Sequence, residues 1–118
     1  MKNFKELLVW KKSHILTFAI YGTIKLFPKE ELYGLTSQIR RSTISIPSNI
    51  AEGCDRLSDK ELAQFLIIAN GSASELSYQI LLAKDLNYLS VTDYDQLDIQ
   101  LTEVQKMLSA FIRKLRSV

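Results

Sequence analysis

The chain has 118 residues, 47% of them hydrophobic and 24% charged, and a formal net charge of +2 at pH 7. This length suits one domain, residues 1–118, with enough apolar content to form a core without disulfide or metal support, which excludes disordered, collagen-like and disulfide-scaffold proteins. The longest stretches without a charged residue, 13–24 and 62–74, are too short to cross a bilayer. The lone cysteine, Cys54, suits a reducing compartment and is interpreted as a plain small residue. We therefore predict a single cytoplasmic domain with no membrane segment.

The first predicted helix runs from about Lys5 to Leu26 and ends before Phe27-Pro28, because a residue preceding proline is disfavoured in the helical region. Its apolar surface is wider than one stripe. A helix of this kind needs a burial partner beyond its own bundle, which predicts a homo-oligomer. One face carries Leu8, Ile15, Ala19, Gly22 and Leu26, and beside it lie Trp10, Leu16, Ile20 and Ile24.

The second predicted helix runs from about Leu35 to Gly53, with Gly53 as its C-terminal stop. Pro47 lies inside it and removes one backbone donor, so we expect one kinked helix rather than two. The inward positions are Leu35, Ile39, Ile46 and Ile50.

The third and fourth predicted helices fill the second half of the chain. Ser58 to Glu61 forms a capping box that opens a helix to about Leu86. Asn70-Gly71 is also a hairpin signal, but both flanks keep helical spacing, which favours one continuous helix. The last helix is capped by Ser90 or Thr92 and is about 24 residues long. Its apolar stripe consists of Tyr94, Leu97, Leu101, Val104, Leu108, Phe111 and Leu115.

Four helices joined by short connections favour antiparallel neighbours. With no strand pattern in the sequence, the predicted fold is all-α, an antiparallel up-down-up-down four-helix bundle.

The sequence offers little for catalysis. A di-iron site in a bundle needs Glu-x-x-His pairs, whereas the one histidine, His14, follows Lys11 at that spacing. The glycines are scattered, which excludes a phosphate-binding loop. The small residues that we interpret as admitting close helix contact are Gly22, Ala69, Gly71, Ser72, Ala73 and Ser74. We therefore predict no enzyme activity and no catalytic, metal or cofactor site.

A polar stripe follows the second helix at spacings of three or four residues. It is either a solvated face or a buried or interfacial hydrogen-bond network, with catalysis a third alternative. We predict that Arg41, Asn49 and Glu52 are shielded from water and bonded to one another, to Glu75, or across a subunit contact. The network would consist of Gln38, Arg41, Ser45, Asn49, Glu52 and Glu75.

Basic residues are common at both ends of the chain. In an up-down-up-down bundle the start of the first helix lies beside the end of the fourth, so these residues would share one end. Only Glu6 and Glu103 oppose them on those segments. Such a surface suits the phosphate backbone of RNA or DNA, although cations near a helix C-terminus also complement its dipole. The candidate nucleic-acid-binding residues are Lys2, Lys5, Lys11, Lys12, Lys106, Arg113, Lys114 and Arg116.

The run from Gln38 to Gly53, QIRRSTISIPSNIAEG, resembles the signature of the 23S rRNA intervening-sequence protein family. Supporting matches are Leu8-Val9-Trp10-Lys11, Phe27-Pro28, Glu31 to Leu35, Phe65-Leu66, Ala69, Gly71-Ser72 and Glu75-Leu76.

The resemblance implies a four-helix bundle that assembles as a homopentamer, and it implies no activity and no catalytic residues. The family is similar to the accessory protein of diversity-generating retroelements, a basic bundle that binds nucleic acid and a reverse transcriptase. Two functions therefore stay open: a nucleic-acid or ribonucleoprotein accessory module, and a structural or protein-interaction module without a nucleic acid ligand.

Overall fold

The computed structural model describes residues 2–117 and contains four α-helices and no strand in that range. The helices are α1 (Leu8–Ile24), α2 (Leu35–Cys54), α3 (Asp59–Asp85) and α4 (Val91–Arg116). Two single-turn 3-10 helices, Phe4–Glu6 and Lys29–Glu31, precede α1 and α2. The all-α prediction is therefore confirmed.

The helices form an elongated bundle, about 46 Å long and 20 to 23 Å across. Each helix packs against the next in the chain, and α4 returns to pack against α1. Over the described residues, the diagonal pairs α1/α3 and α2/α4 make no close backbone contact. This is the predicted antiparallel arrangement, in which every helix keeps one side toward solvent.

Side-chain caps set the starts of α3 and α4. The Ser58 hydroxyl accepts a hydrogen bond from the Glu61 amide at 3.1 Å, and the Ser90 hydroxyl accepts one from the Asp93 amide at 3.1 Å. Of the two predicted caps for α4, the chain therefore uses Ser90 and not Thr92. Each cap satisfies an amide that lacks a partner within the helix.

The first helix begins later than predicted. Leu7 has an extended backbone (φ −76°, ψ 128°), which separates the turn Phe4–Glu6 from α1. The Asn3 side chain caps that turn by accepting from the Lys5 amide at 3.1 Å. A local asparagine cap thus competes with extension of α1 toward Lys5.

The most extensive helix contact joins α2 and α3. A Cβ atom on Gly53 would lie 2.8 Å from Phe65 Cβ and 2.9 Å from Leu62 Cδ1. Ala69 and Ala73 of α3 are fully buried in the same core. The prediction that Gly53 stops α2 is wrong, because the helix continues to Cys54; the glycine instead lets two helices approach.

Unlike the buried Ala69 and Ala73, two further small residues that were expected to admit close helix contact do not have that role. A Cβ atom on Gly22 or Gly71 would meet no atom within 4 Å. The interpretation that they admit close helix contact within the bundle is therefore wrong. The helix α3 does run unbroken through Asn70-Gly71, as predicted.

Of the two apolar stripes of α1, the one that contains Leu16 is buried in the core. Leu16, Ile20 and Ile24 are buried, whereas Ile15 is 58% and Leu26 is 85% exposed. The stripe beginning at Leu8 instead faces outward. The chain therefore keeps an apolar surface along α1.

A single carboxylate ties two loops at one end of the bundle. Glu31 Oε1 accepts a hydrogen bond from the Leu35 amide at the start of α2, at 3.1 Å. Glu31 Oε2 accepts one from the Tyr88 hydroxyl at 3.0 Å, and the Phe27 and Tyr88 rings pack with centroids 5.8 Å apart. The hydrogen bond to Glu31 raises the pKa of Tyr88 above its usual value. Asn87 (φ 64°) reverses the chain after α3, in the left-handed conformation that asparagine tolerates.

Candidate functional site

The polar stripe of α2 lies along α3. Arg41 Nη2 donates to Glu75 Oε1 at 2.9 Å and to Gln38 Oε1 at 2.8 Å. One turn further on, the Ser45 and Ser72 hydroxyls are 2.8 Å apart, and Asn49 Nδ2 donates to Ser45 Oγ at 2.9 Å. Five of the six predicted network residues therefore form two short groups across the α2–α3 contact.

The sixth residue, Glu52, pairs with Arg56 at 3.0 Å, four residues along the chain, and not with Arg41. Within the single chain the Arg41 side chain is 62% exposed, and Glu52 is also exposed. Asn49 alone of the three residues that we predicted to be shielded is partly buried. Any shielding of Arg41 and Glu52 must therefore come from outside the chain.

A buried polar pair in the same helices was missed by the sequence reasoning. The Ser42 hydroxyl donates to Gln79 Oε1 at 2.6 Å, and both residues are buried. Ser42 falls between Ile39 and Ile46 in the inward stripe, and this spacing is the signal that could have found it. Two buried polar groups that satisfy one another specify how α2 and α3 align.

Aromatic rings line the outer side of α1. Trp10 and His14 stack with centroids 4.8 Å apart, and His14 meets Phe18 edge-on at 5.0 Å. Phe4 closes the column against Trp10 at 4.9 Å. Phe18 is 70% exposed, and an apolar groove of about 470 Å³ lies beside it. The groove is lined by His14, Thr17, Phe18, Tyr21, Gly22, Lys25 and Ile44.

The candidate nucleic-acid-binding residues are divided between different surfaces. Lys12 pairs with Glu103 at 3.0 Å across α1 and α4. Lys106 and Arg113 line a groove between α3 and α4, and Arg116 lines a second groove against the start of α3. Arg113 and Arg116 thus lie beside α3, whereas Lys106 borders both the α3–α4 groove and a groove on α4 that is lined by Asp98 and Glu103. The remaining residues, Lys2, Lys5, Lys11 and Lys114, are exposed.

The connection between α2 and α3 reaches the end where we expected the basic residues. Lys2 donates its amide to the Cys54 carbonyl at 3.0 Å, which brings the N-terminal segment to the end of α2. Asp55 and Asp59 flank this connection, together with Arg56 and Lys60. These two carboxylates and two cations cancel, so they leave the net charge of this end unchanged but place carboxylates among its cations.

Among residues 2–117, no three His, Cys, Asp or Glu side chains are close enough to hold a metal ion. His14 is engaged by the rings of Trp10 and Phe18, and Cys54 is buried. Burial raises the pKa of the Cys54 thiol, which disfavours the reactive thiolate. In the same part of the chain, no helix combines the length and the hydropathy that crossing a membrane requires.

Comparison with known proteins supplies the family. A search of the curated proteins finds no match. A solved structure, a protein with unknown function from the S23 ribosomal protein family of Bacteroides thetaiotaomicron, is similar to this chain with a TM-score of 0.83 and 28% identity. The match covers 90% of this chain and 99% of the other. The family model for the 23S rRNA-intervening sequence protein matches residues 5–110. The chain therefore belongs to the 23S rRNA-intervening sequence protein family.

Proposed function

We propose that this protein is a non-enzymatic accessory module of the cytoplasm that assembles into a homo-oligomer and binds the backbone of RNA or DNA. The family resemblance supports five copies, and it also supports a likeness to the accessory protein of diversity-generating retroelements. That likeness makes a ribonucleoprotein the expected partner.

The observation that carries nucleic-acid binding is that the four cations on α4 lack a carboxylate partner among the described residues. Lys106, Arg113, Lys114 and Arg116 have no carboxylate within 4 Å among residues 2–117, whereas Lys12 on α1 does. Cations without local partners are free to displace the counterions of a phosphate backbone, which is the main source of sequence-independent affinity. Cyclic assembly would repeat these four residues around a ring.

The test is binding of labelled structured RNA and duplex DNA over a salt series. We expect substitution of Lys12, Arg113, Lys114 and Arg116 together by Gln to weaken binding of every sequence and to flatten the salt dependence. The pairing of Lys12 with Glu103 implies that a triple variant retaining Lys12 loses almost as much. Unchanged binding by the quadruple variant would contradict the proposal.

A second function, a protein-interaction module without nucleic acid, is favoured by two exposed apolar faces. The face of α1 contains Ile15, Phe18 and Gly22, and a similar face on α3 contains Gly71 and Tyr78. Ile67 and Ile68 of α3 are also exposed. An exposed glycine inside a helix lowers stability by about 1 kcal/mol relative to alanine. At Gly22 and Gly71 no close contact with the described residues offsets this loss.

Because α1 and α3 are diagonal in the bundle, their outer faces look in opposite directions. Two different faces on opposite sides favour head-to-tail contacts between copies, and such contacts form a ring when the rotation from one copy to the next closes. Light scattering should therefore give a mass that is a multiple of 13.5 kDa at micromolar concentration. A parent protein that assembles but binds no RNA or DNA at about 50 mM salt would favour the interaction module.

A further inference from the structure

The groove between α3 and α4 has a lining unlike the rest of the surface. Its volume is about 540 Å³, and it runs along α4 from Thr102 to Arg113, a rise of about 16 Å. Every residue that lines it is polar or basic. These residues are Asn70, Ser74, Thr102, Gln105, Lys106, Ser109 and Arg113.

The side chains in this lining are of the kinds that contact phosphate oxygens. In protein–DNA complexes, Arg, Lys, Ser, Thr, Asn and Gln provide the side-chain contacts to phosphate and sugar. Lys106 and Arg113 supply charge seven residues apart, and Ser74 on α3 and Ser109 on α4 supply hydroxyls. Neither an aromatic ring nor a carboxylate lines the groove. The lining therefore offers no ring on which a base could stack and no carboxylate that could bind a metal ion.

The groove is also short of partners within the chain. Lys106 and Arg113 form no ion pair with the described residues, and the nearby Glu103 is paired with Lys12. Asn70 Oδ1 is buried and makes no hydrogen bond among residues 2–117. This oxygen is an acceptor and cannot bond a phosphate oxygen, so the phosphate contacts of the groove would fall to Lys106, Arg113 and the hydroxyls.

We infer that the α3–α4 groove is a phosphate-binding site that holds several successive phosphates of a nucleic-acid backbone. This inference rests on the proposed function for the source of the phosphates, and it moves the main contacts from the shared end of α1 and α4 to the side of the bundle. A length of about 16 Å admits several phosphates at the 3.4 Å rise per strand of a duplex. Without base contacts, the site discriminates little between sequences.

The experiment measures binding of a fluorescein-labelled 30-nucleotide RNA to the full chain by anisotropy, from 50 to 200 mM salt. We expect Lys106→Gln with Arg113→Gln to weaken binding at least ten-fold at 50 mM salt. The slope of log affinity against log salt should fall by about 1.4 to 1.8, for two lost phosphate contacts. The matched control is Lys29→Gln with Lys60→Gln, which removes the same charge at exposed positions outside the groove. It should change the affinity less than three-fold.

A second variant removes space instead of charge. Ser74 is exposed on α3, so Ser74→Leu should leave the fold intact, as circular dichroism would verify, while narrowing the groove. We expect it to weaken RNA binding at least five-fold, whereas Ser48→Leu on the exposed side of α2 leaves binding unchanged. Equal losses in the two charge variants, or full binding by Ser74→Leu, would overturn the inference in favour of diffuse surface charge.

Titration with inorganic pyrophosphate separates this inference from the proposed function. Shifts of the Asn70 and Gln105 side-chain amide signals in the parent, absent in the Lys106→Gln/Arg113→Gln variant, would support a phosphate site even if the parent binds no RNA. The phosphate would then come from a small molecule, and the proposed function would fail alone. RNA binding that survives the groove variants but not the Lys12, Arg113, Lys114 and Arg116 quadruple would overturn the groove and keep the proposed function. No response to pyrophosphate or RNA would overturn both.

Discussion

The outer side of α1 and the groove between α3 and α4 are opposite in chemistry, although both are exposed sides of the same bundle. The outer side of α1 presents Ile15 and Phe18, which are 58% and 70% exposed. Beside them lies Gly22, where an added Cβ atom would meet no atom within 4 Å. The groove has hydroxyls, amides and two cations. Apolar area is buried most favourably against more apolar area, and unpaired cations bind best to anions. The comparison teaches that self-association and ligand binding can be separated by mutation.

The largest expected effect is loss of assembly when the apolar face is charged. Ile15→Glu with Phe18→Glu should reduce the mass measured by light scattering from a multiple of 13.5 kDa to a single chain, because burying two unpaired carboxylates costs several kcal/mol. Thr92→Glu with Gln96→Glu, at exposed positions of α4, is the control and should keep the parent mass. A monomeric parent, or an unchanged mass in the Ile15/Phe18 variant, would show that this face is not an interface.

The same variant links the two surfaces. If copies in a ring bind one backbone together, a dissociated chain loses the gain in effective concentration, and RNA affinity should fall by about 10²-fold or more even though the groove is intact. Anisotropy of the labelled 30-nucleotide RNA checks this. Affinity equal to that of the parent would mean that each groove binds independently of assembly.

Substituting Gly53 or Gly22 by alanine should change the free energy of unfolding by a smaller amount. The two changes should have opposite signs, because only Gly53 lies against another helix. Gly53→Ala should destabilise the chain by about 1–3 kcal/mol, because its Cβ would overlap Phe65 and Leu62. Gly22→Ala has open space within the chain and should stabilise a monomer by up to about 1 kcal/mol through helix propensity. Urea denaturation measures both. If Gly22 instead lies against a second copy, Gly22→Ala weakens association, and the midpoint becomes more dependent on protein concentration.

Much of the fold could be predicted because its signals are local. The caps at Ser58 and Ser90 and the spacing of the α4 stripe depend only on neighbouring residues. The orientation of α1 was not predictable in this way: Leu8 and Leu16 belong to equally apolar stripes, and only packing against α2 and α4 decides which is buried. For the same reason spacing placed Lys106 on α4 but could not show that it borders a groove shared with α3. The carboxylate partner of Lys12 lies 91 residues away in sequence, at Glu103.

The smallest expected effect concerns the polar stripe of α2. Arg41 and Glu75 are largely exposed, so Arg41→Ala should cost at most about 1 kcal/mol in an isolated chain. In the assembled protein a cost of about 3–5 kcal/mol would place this stripe in a subunit contact as a buried pair. Thermal unfolding of Arg41→Ala in the parent and in the Ile15→Glu/Phe18→Glu background distinguishes the two. Equal costs in both backgrounds would leave the stripe outside the interface.

Glu31 gives the loop end of the bundle a sensitivity to alkali. Its carboxylate holds the first turn of α2 and the Tyr88 hydroxyl together, and the raised pKa of Tyr88 means that the folded chain retains this proton more strongly than the unfolded chain. The stabilising contribution of the Tyr88–Glu31 hydrogen bond is therefore complete below about pH 10, the ordinary pKa of tyrosine. It is lost as the pH rises through the raised pKa of Tyr88. Once formed, the phenolate would face the carboxylates of Glu31 and Glu30. Amide exchange near Leu35 and Asn87 should then accelerate before exchange in the Ala69–Ala73 core, so that the bundle opens from this end first.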